Sequence, residues 1–162
     1  MEAVETIISL IAQAQDCRVE RQPHPGAPAP GYALPEDLAY YLGHYRSIAL
    51  FAGSEYCWEV VGLERFTRAN PVIVGEDIAD DISHNWFIIA TNGRAHYITI
   101  DLAPARLGKC YDSFWDRHGV AGAQPVIANS FTELLQLLYA NKGGYHYWLQ
   151  DDFQSLGDAY EL

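Results

Sequence analysis

Apolar residues recur at helical spacing in three stretches of the chain, and each stretch predicts an amphipathic helix. The first ends near Asp16. The second, "LPEDLAYYLGHY", begins at Pro35, which suits a first helical turn. The third, "SFTELLQLL", opens with a capping box of Ser130 and Glu133 and is expected to stop near Gly143. The predicted buried faces are Val4, Ile7, Ile8 and Ile11, then Leu38, Tyr41, Leu42 and Tyr45, then Phe131, Leu134, Leu135 and Leu138.

Between the second and third helices, apolar and polar residues alternate as in strands. Strands are predicted over Glu55–Val61, Trp86–Thr91, Ala95–Leu102 and Lys109–Ser113, and "GLERF" predicts a short helical turn. The second and third strands form a hairpin around an Asn92-Gly93 turn. Alternation places His96 and Asp101 on opposite sides of this hairpin, which argues against a catalytic pair made of these two residues.

The order of these elements is helix, loop, helix, several strands and helix, without strict alternation of strand and helix. This order favours an α+β fold with a largely antiparallel sheet of about four to six strands and helices packed against it. The length of 162 residues fits a single domain, predicted over residues 1–142. Residues 143–162 are predicted to form an acidic, aromatic extension, and the proline-rich residues 23–30 a surface loop.

The charge distribution narrows the class of partner. Ten basic and twenty-one acidic residues give a formal net charge of −11, which disfavours binding to nucleic acid or to an anionic membrane. Residues 69–93 contain no Lys or Arg, and an acidic segment at residues 76–81 lies within this stretch. The segment is either a solvated surface or a docking face for a basic protein. Its acidic residues are Glu76, Asp77, Asp80 and Asp81.

The three cysteines, Cys17, Cys57 and Cys110, are odd in number and form no Cys-x-x-Cys pair. A disulfide framework or a structural zinc site is therefore not indicated, and reduced thiols fit best. The N-terminal residues carry Glu2 and Glu5 where a signal peptide would carry positive charge, and no apolar run is long enough to span a bilayer. The sequence therefore predicts a cytoplasmic protein.

Motifs for nucleotide, metal or serine chemistry are missing from the sequence, so no cofactor and no metal are expected. Three weaker constellations remain. Asp112, Asp116 and His118 form either a general base with its carboxylates or an ordinary surface loop, and the loop is favoured. The acidic segment lacks the glycine and the distal glutamate of a calcium loop. Cys110 is interpreted as a small buried apolar residue rather than a nucleophile.

Four phrases, in order, resemble the SMI1/KNR4 (SUKH) family: "YALPEDLAYYLGHY", "EVVGLERF", "FIIATNGRAHYITIDL" and "VIANSFTELLQLL". The resemblance extends roughly from Ile7 to Tyr139. The chain departs from the family pattern in two places. It has "RSIALFAGSE" where many members have a Gly-Gly pair, and Gly93-Arg94-Ala95 where many have Gly-Asp or Gly-Glu.

The resemblance implies an α+β binding scaffold without catalysis. In bacteria such a scaffold is commonly an immunity protein that neutralises a cognate toxin, often a nuclease, and in fungi it is a regulatory protein. The leading hypothesis is therefore a non-enzymatic immunity protein that occludes a basic toxin. The alternatives are a regulatory adaptor for a cellular enzyme and a small hydrolase using Asp116 and His118. Oligomeric state stays open.

The partner-binding residues expected for this role are acidic or aromatic, because complementary charge speeds encounter and aromatic residues anchor interfaces. Trp115 is interpreted either as a core residue or as an exposed interface anchor flanked by two carboxylates. The candidate residues are Glu76, Asp77, Asp80, Asp81, Asp112, Trp115 and Asp116.

Overall fold

A single seven-stranded sheet, in which every neighbouring pair of strands is antiparallel, forms the centre of the molecule. The structure is a computed structural model that describes residues 1–26 and 31–162. The strands lie in the sheet in chain order: β1 (Arg18–Arg21), β2 (Tyr45–Leu50), β3 (Trp58–Val61), β4 (Trp86–Thr91), β5 (His96–Asp101), β6 (Cys110–Phe114) and β7 (Val126–Ala128). The α+β class and the antiparallel sheet are confirmed, with one strand more than the predicted range.

Three strands, β1, β2 and β7, were not predicted from the alternating pattern. The edge strand β1 reads "RVER" and contains a single apolar residue, Val19. A short, charged edge strand resists pairing with other chains, and it also gives no alternating pattern. Strand β2 begins at Tyr45, directly after the helix that ends at His44, so no turn residue separates the two elements.

Three helices pack on one face of the sheet, as the three apolar repeats predicted. They are α1 (Glu2–Gln13), α2 (Glu36–His44) and α4 (Phe131–Ala140), and both α1 and α2 contact α4. The residues of the predicted helix faces are buried in one core cluster together with Ile98 and Ile100 of β5, although Tyr45 lies in β2 and not, as predicted, in the second helix. A short helix, α3 (Ala69–Ile73), was not predicted and contributes Ala69 to a second cluster. The predicted turn in "GLERF" is a 3₁₀ helix over Leu63–Arg65.

The predicted capping box of α4 is half confirmed. Ser130 Oγ accepts a hydrogen bond from the Glu133 backbone N–H at 3.0 Å. The Glu133 carboxylate accepts from the N–H of Asn129, one residue earlier than the box requires. Ser130 thus satisfies one N-terminal donor of α4, the Glu133 N–H, and Asp37 Oδ2 accepts from another, the Thr132 N–H.

The second cluster lies on the other side of the hairpin from the first. It consists of Ala69, Trp86, Ile88, Tyr111, Val126 and Ala159. Asp101 belongs to this side, where its Oδ2 accepts hydrogen bonds from Trp86 Nε1, Tyr111 Oη and Arg106 Nε. His96 packs on Trp58 of the first cluster. The prediction that His96 and Asp101 face opposite sides is confirmed.

Residues 143–162 pack closely against the rest of the molecule. Trp148 is buried in the first cluster and Ala159 in the second. The N–H of Val126 donates to the carbonyl of Gly157, and the N–H of Ala159 donates to that of Gln124. The C-terminal residues therefore cover the outer edge of β7.

The predicted surface loop at residues 23–30 is described in part. Pro23, His24 and Pro25 are exposed and irregular, and residues 27–30 lie outside the described residues.

Within the described residues, no helix is both long and apolar enough to cross a membrane.

Candidate partner-binding surface

The acidic segment connects α3 to β4 and runs along the side of the sheet that holds the second cluster. Glu76, Asp77 and Asp80 are exposed, and Asp81 is half-buried. A 3₁₀ helix over Ile82–Asn85 follows directly. Two of the four predicted acids, Asp77 and Asp81, form hydrogen bonds with other described residues of the protein, and the other two do not.

Asp77 is the first of the two hydrogen-bonded acids. Its carboxylate lies 2.9 Å from Arg68 Nη2 and 2.9 Å from His84 Nδ1. Desolvation opposes ionisation, but the hydrogen bonds and charges of His84 and Arg68 outweigh it and lower the pKa of Asp77. Because the group is exposed, this ion pair adds little stability. It does neutralise part of the charge that the segment presents.

Asp81 is the other hydrogen-bonded acid, and it caps the 3₁₀ helix over Ile82–Asn85. Its Oδ2 accepts from the backbone N–H and the hydroxyl of Ser83 at 2.9 and 2.5 Å, and from the Tyr160 hydroxyl at 2.7 Å. Desolvation would raise the pKa of Asp81, but these hydrogen bonds lower it overall. The carboxylate thus holds the C-terminal residues against the acidic segment.

Glu76 and Asp80 face solvent. Across residues 1–26 and 31–162, neither side chain forms an ion pair or a hydrogen bond with another residue. Val72 and Val74, just before them, are about half exposed, at 50% and 46%. Exposed apolar residues next to uncompensated carboxylates are what a docking surface for a basic partner requires.

Trp115 lies at the start of the β6–β7 loop, which spans residues 115–125, and it is 59% exposed. The interpretation of Trp115 as a core residue is therefore wrong. Its neighbour Asp116 is also exposed. The loop is held at its base by the Trp115 N–H, which donates to the carbonyl of Ala95 at 3.3 Å, and by Arg117, whose Nη2 lies 2.8 Å from Asp112 Oδ2.

Asp112 is fully buried, unlike the other predicted residues. Its carboxylate lies 2.6 Å from His96 Nε2 and 2.8 Å from Arg117, and it accepts from Trp148 Nε1 at 2.9 Å and from the Phe114 N–H at 3.1 Å. Burial would raise the pKa of Asp112, but His96, Arg117 and Trp148 together lower it. Asp112 can reach a partner only indirectly, through the groups that it holds.

The structure does not assemble the acid-base group of Asp112, Asp116 and His118. His118 is buried, and its Nε2 lies 2.6 Å from Asn70 Oδ1. Desolvation lowers the pKa of His118 to about 4, so its ring is neutral at neutral pH. Among the described residues, His118 has no hydrogen bond to Asp112 or Asp116, because Asp112 pairs with His96 instead.

Hydrogen bonds connect the acidic segment, the β6–β7 loop and the C-terminal residues. Tyr160 bonds to Asp81, Asp81 to Ser83, Ser83 to Asn70, and Asn70 to His118. The predicted acidic segment and the predicted loop are therefore parts of one connected surface.

A second set of bonds fixes the far end of the loop. Gln124 donates through Nε2 to the carbonyl of Asp112, and the Gln124 N–H donates to Asp158. Sequence reasoning missed Asn70, Ser83, Gln124 and Tyr160. They are ordinary polar residues far apart in the chain, and no spacing signals that they meet.

A metal centre finds no support in the part of the chain that the structure describes. No group of three His, Cys, Asp or Glu side chains is arranged there to hold an ion. The three cysteines are free thiols, and Cys110 is fully buried. Burial raises the pKa of Cys110 well above its ordinary value, which disfavours the nucleophilic thiolate.

Comparison with known proteins identifies the family of the chain. The model of the SMI1 / KNR4 family (SUKH-1) matches residues 29–137. The chain belongs to the SMI1 / KNR4 family. The immunity protein YokJ of Bacillus subtilis (strain 168) is 43% identical to this family member over 159 residues, covering 98% of this chain and 96% of YokJ. No solved structure matches the chain.

Proposed function

We propose that this SMI1 / KNR4 protein is a non-enzymatic immunity protein that neutralises a cognate toxin by covering its active cleft. The observation that carries the proposal is the 43% identity to an immunity protein over 98% of the chain. Because the match covers 98% of the chain, it extends beyond the family core into most of residues 143–162, and the similarity includes the segments that build the candidate surface. We propose the reducing cytoplasm as its location, in keeping with three free cysteines.

The expected toxin is a basic protein, and we propose a nuclease-type enzyme. Nucleases bind an anionic substrate and therefore tend to carry a basic cleft. A chain of net charge −11 whose Glu76 and Asp80 face solvent is attracted to such a cleft over long distances. The same charge would repel nucleic acid itself, so the protein meets the toxin and not the substrate of the toxin.

The proposed mechanism is occlusion. The only acid-base group that sequence reasoning raised has its histidine buried and neutral, beside an asparagine. A protein that acts by covering a cleft must act in proportion to its amount. Protection should therefore saturate near one molecule per toxin molecule.

The test takes as its candidate toxin a toxin-type domain encoded by a gene next to that of this protein, where the genome carries one. We expect the two purified proteins to co-elute as a complex, and the toxic activity to fall linearly until equimolar protein is present. A comparison variant is the same protein with Asp81→Asn and Tyr160→Phe, which loses the hydrogen bond between the acidic segment and the C-terminal residues and should therefore form a weaker complex. Full protection at a tenth of equimolar protein would contradict occlusion, and lack of any complex would contradict the immunity role.

A further inference from the structure

One end of the sheet carries a continuous row of aromatic rings, which we call the aromatic end. It lies where β3 and β5 begin and β6 ends. Ring centroids are separated by 5.5 Å between Tyr145 and Tyr56 and by 5.4 Å between Tyr56 and His146. The row continues from His146 to His96 at 4.8 Å, to Phe114 at 5.0 Å and to Trp115 at 6.0 Å. Its two terminal rings, Tyr145 and Trp115, are exposed.

The inner rings of this row are fixed in place. His96 is held by Asp112, and His146 stacks on Trp148 at 4.8 Å, whose indole N–H also donates to Asp112. Trp58 packs against His96 and His146 from the core side. The rings that lie between Tyr145 and Trp115 are therefore ordered before a partner binds, and a small ordering cost is a main source of affinity.

The aromatic end already holds one cation. The guanidinium carbon of Arg117 lies 5.0 Å from the centre of the Phe114 ring while its Nη2 pairs with Asp112. Trp115 and Asp116 supply a second ring and a second carboxylate at consecutive exposed positions, and no described residue forms an ion pair or a cation–π contact with either. Of the exposed cations at this end, Lys142 lies over Tyr139 and Arg94 sits on the hairpin turn.

Two buried side-chain nitrogens without a hydrogen-bond partner also lie at this end. Within residues 1–26 and 31–162, the buried side-chain nitrogens without a hydrogen-bond partner are Arg117 Nε, His118 Nδ1 and His146 Nδ1. Arg117 Nε and His146 Nδ1 lie at the aromatic end, whereas the ring of His118 packs against Trp86 of the second cluster. Buried polar groups are rarely left unpaired, and departures from that rule gather at functional sites.

Resting on the proposed function, we infer that the aromatic end is the anchor of the toxin interface and receives an arginine side chain of the toxin. The guanidinium plane stacks on the exposed face of Trp115 while the carboxylate of Asp116 pairs with its N–H groups. Arginine fits this arrangement better than lysine, because its planar, weakly hydrated group stacks on rings and binds carboxylates with two hydrogen bonds. The acidic segment then governs encounter, and the aromatic end governs dissociation.

The first experiment needs no toxin. A capped tri-arginine peptide is titrated into the labelled protein, with capped tri-lysine as the charge-matched control. The backbone amide signals and the indole N–H signals of the four tryptophans are followed by NMR. We expect the Trp115 signal to shift and saturate, several-fold more tightly with arginine than with lysine, while the signals of Trp58, Trp86 and Trp148 stay in place. Shifts confined to residues 76–81, or equal affinity for both peptides, would overturn the proposal.

Variants separate the ring from simple apolar area. Trp115→Leu keeps apolar surface but has no ring face, so arginine-peptide affinity should fall several-fold, and Trp115→Phe should keep most of it. Asp116→Asn should weaken binding, whereas Leu10→Ala on α1, which replaces another exposed apolar residue, should not. Because Trp115 is largely exposed, thermal melting of these variants should match that of the parent. Unchanged affinity in folded Trp115→Leu would contradict the inferred stacking.

The second experiment uses the toxin complex. Trp115→Leu should speed dissociation about tenfold with little change in the association rate. Glu76→Gln with Asp80→Asn should slow association with little change in the dissociation rate. A complex that forms normally with Trp115→Leu would overturn this inference and leave the proposed function standing. A protein that binds the arginine peptide at Trp115 but binds no toxin would overturn the proposed function alone.

Discussion

The hydroxyl of Tyr160 donates a hydrogen bond of 2.7 Å to Asp81 Oδ2 and so joins two residues that are 79 positions apart in the chain. Burial and the neighbouring carboxylate both raise the pKa of Tyr160, so its hydroxyl keeps its proton and remains a donor. Asp81 was predicted as part of a docking face. Its geometry gives it a second, structural task, because it fastens the C-terminal residues to the acidic segment.

Asp81→Asn should lower the free energy of unfolding by roughly 1–3 kcal/mol, because it weakens charge-assisted bonds from Ser83 and Tyr160. Tyr160→Phe should cost about 1 kcal/mol. Urea unfolding measures both, and the double variant should lose less than the sum of the single losses. Asp80→Asn is the control, since its exposed carboxylate has no partner in the described residues. Strict additivity, or an equal loss in Asp80→Asn, would count against the structural role of Asp81.

The double variant Glu76→Gln with Asp80→Asn should slow association with the basic toxin and flatten the dependence of the association rate on salt. Both side chains face solvent, so stability should stay within about 0.5 kcal/mol of the parent. Stopped-flow mixing across a salt series measures the effect. Glu2→Gln with Glu5→Gln gives the same change in net charge on α1 and serves as the control. Equal slowing in both double variants would indicate a general charge effect rather than a docking face.

The two buried histidines should make the protein less stable in mild acid. Desolvation lowers the pKa of His118 and, with the charge of His96, that of His146, each to about 4 from an ordinary value near 6.5. Their unfolded forms therefore bind protons first, so the stabilising effect of the neutral rings is complete above pH 6.5 and declines as the pH falls toward 4.

By pH 5 this decline should reach roughly 2 kcal/mol for each ring. Urea unfolding at pH 7, 6 and 5 measures it, and this window lies above the range in which the carboxylates with lowered pKa values take up protons. His118→Asn and His146→Gln should flatten the pH dependence, while His24→Gln, at an exposed site, should leave it unchanged. A flat parent profile between pH 6.5 and 5 would show that neither ring is held neutral.

Asp112→Asn should be among the most damaging single changes in this chain. It leaves Arg117 and His96 without their carboxylate in a buried site, and the loss of one member of a buried ion pair typically costs about 3–5 kcal/mol. Since the folded-state pKa of Asp112 is lowered, the ionised group stabilises the fold above the ordinary pKa, and this contribution is lost as the pH falls through the lower folded value. Calorimetry of Asp112→Asn and of Asp116→Asn compares the buried with the exposed carboxylate. Similar melting of the two variants would refute the central role of Asp112.

The sequence predicted those features that depend on repeated local patterns. The apolar repeat of α1, the stripe of α4 and the alternation of the β4–β5 hairpin each involve many residues whose burial is decided together. Single residues without a repeat were ambiguous. Trp115 could be assigned to the core or to the surface, because one tryptophan in a loop carries no periodicity.

Polar residues were the hardest to place. Alternation along β6 puts Asp112 between Cys110 and Phe114, on the side of the sheet that His96 faces, and this carboxylate on a buried strand face was the available signal for an interior role. The links from Asn70 to His118 and from Asp81 to Tyr160 gave no such signal. They depend on the folded positions of segments that are distant in sequence.

The chain-order arrangement of β1 to β7 has a kinetic consequence. Each strand pairs with the strands next to it in sequence, so the sheet can grow one hairpin at a time without closing a loop longer than the β1–β2 or β3–β4 connection. The packing of α1 on α4 instead joins opposite ends of the chain. We expect Ile98→Val in β5 to slow refolding, and Ile8→Val in α1 chiefly to accelerate unfolding, in stopped-flow measurements. The hairpins would then assemble while α1 is still undocked.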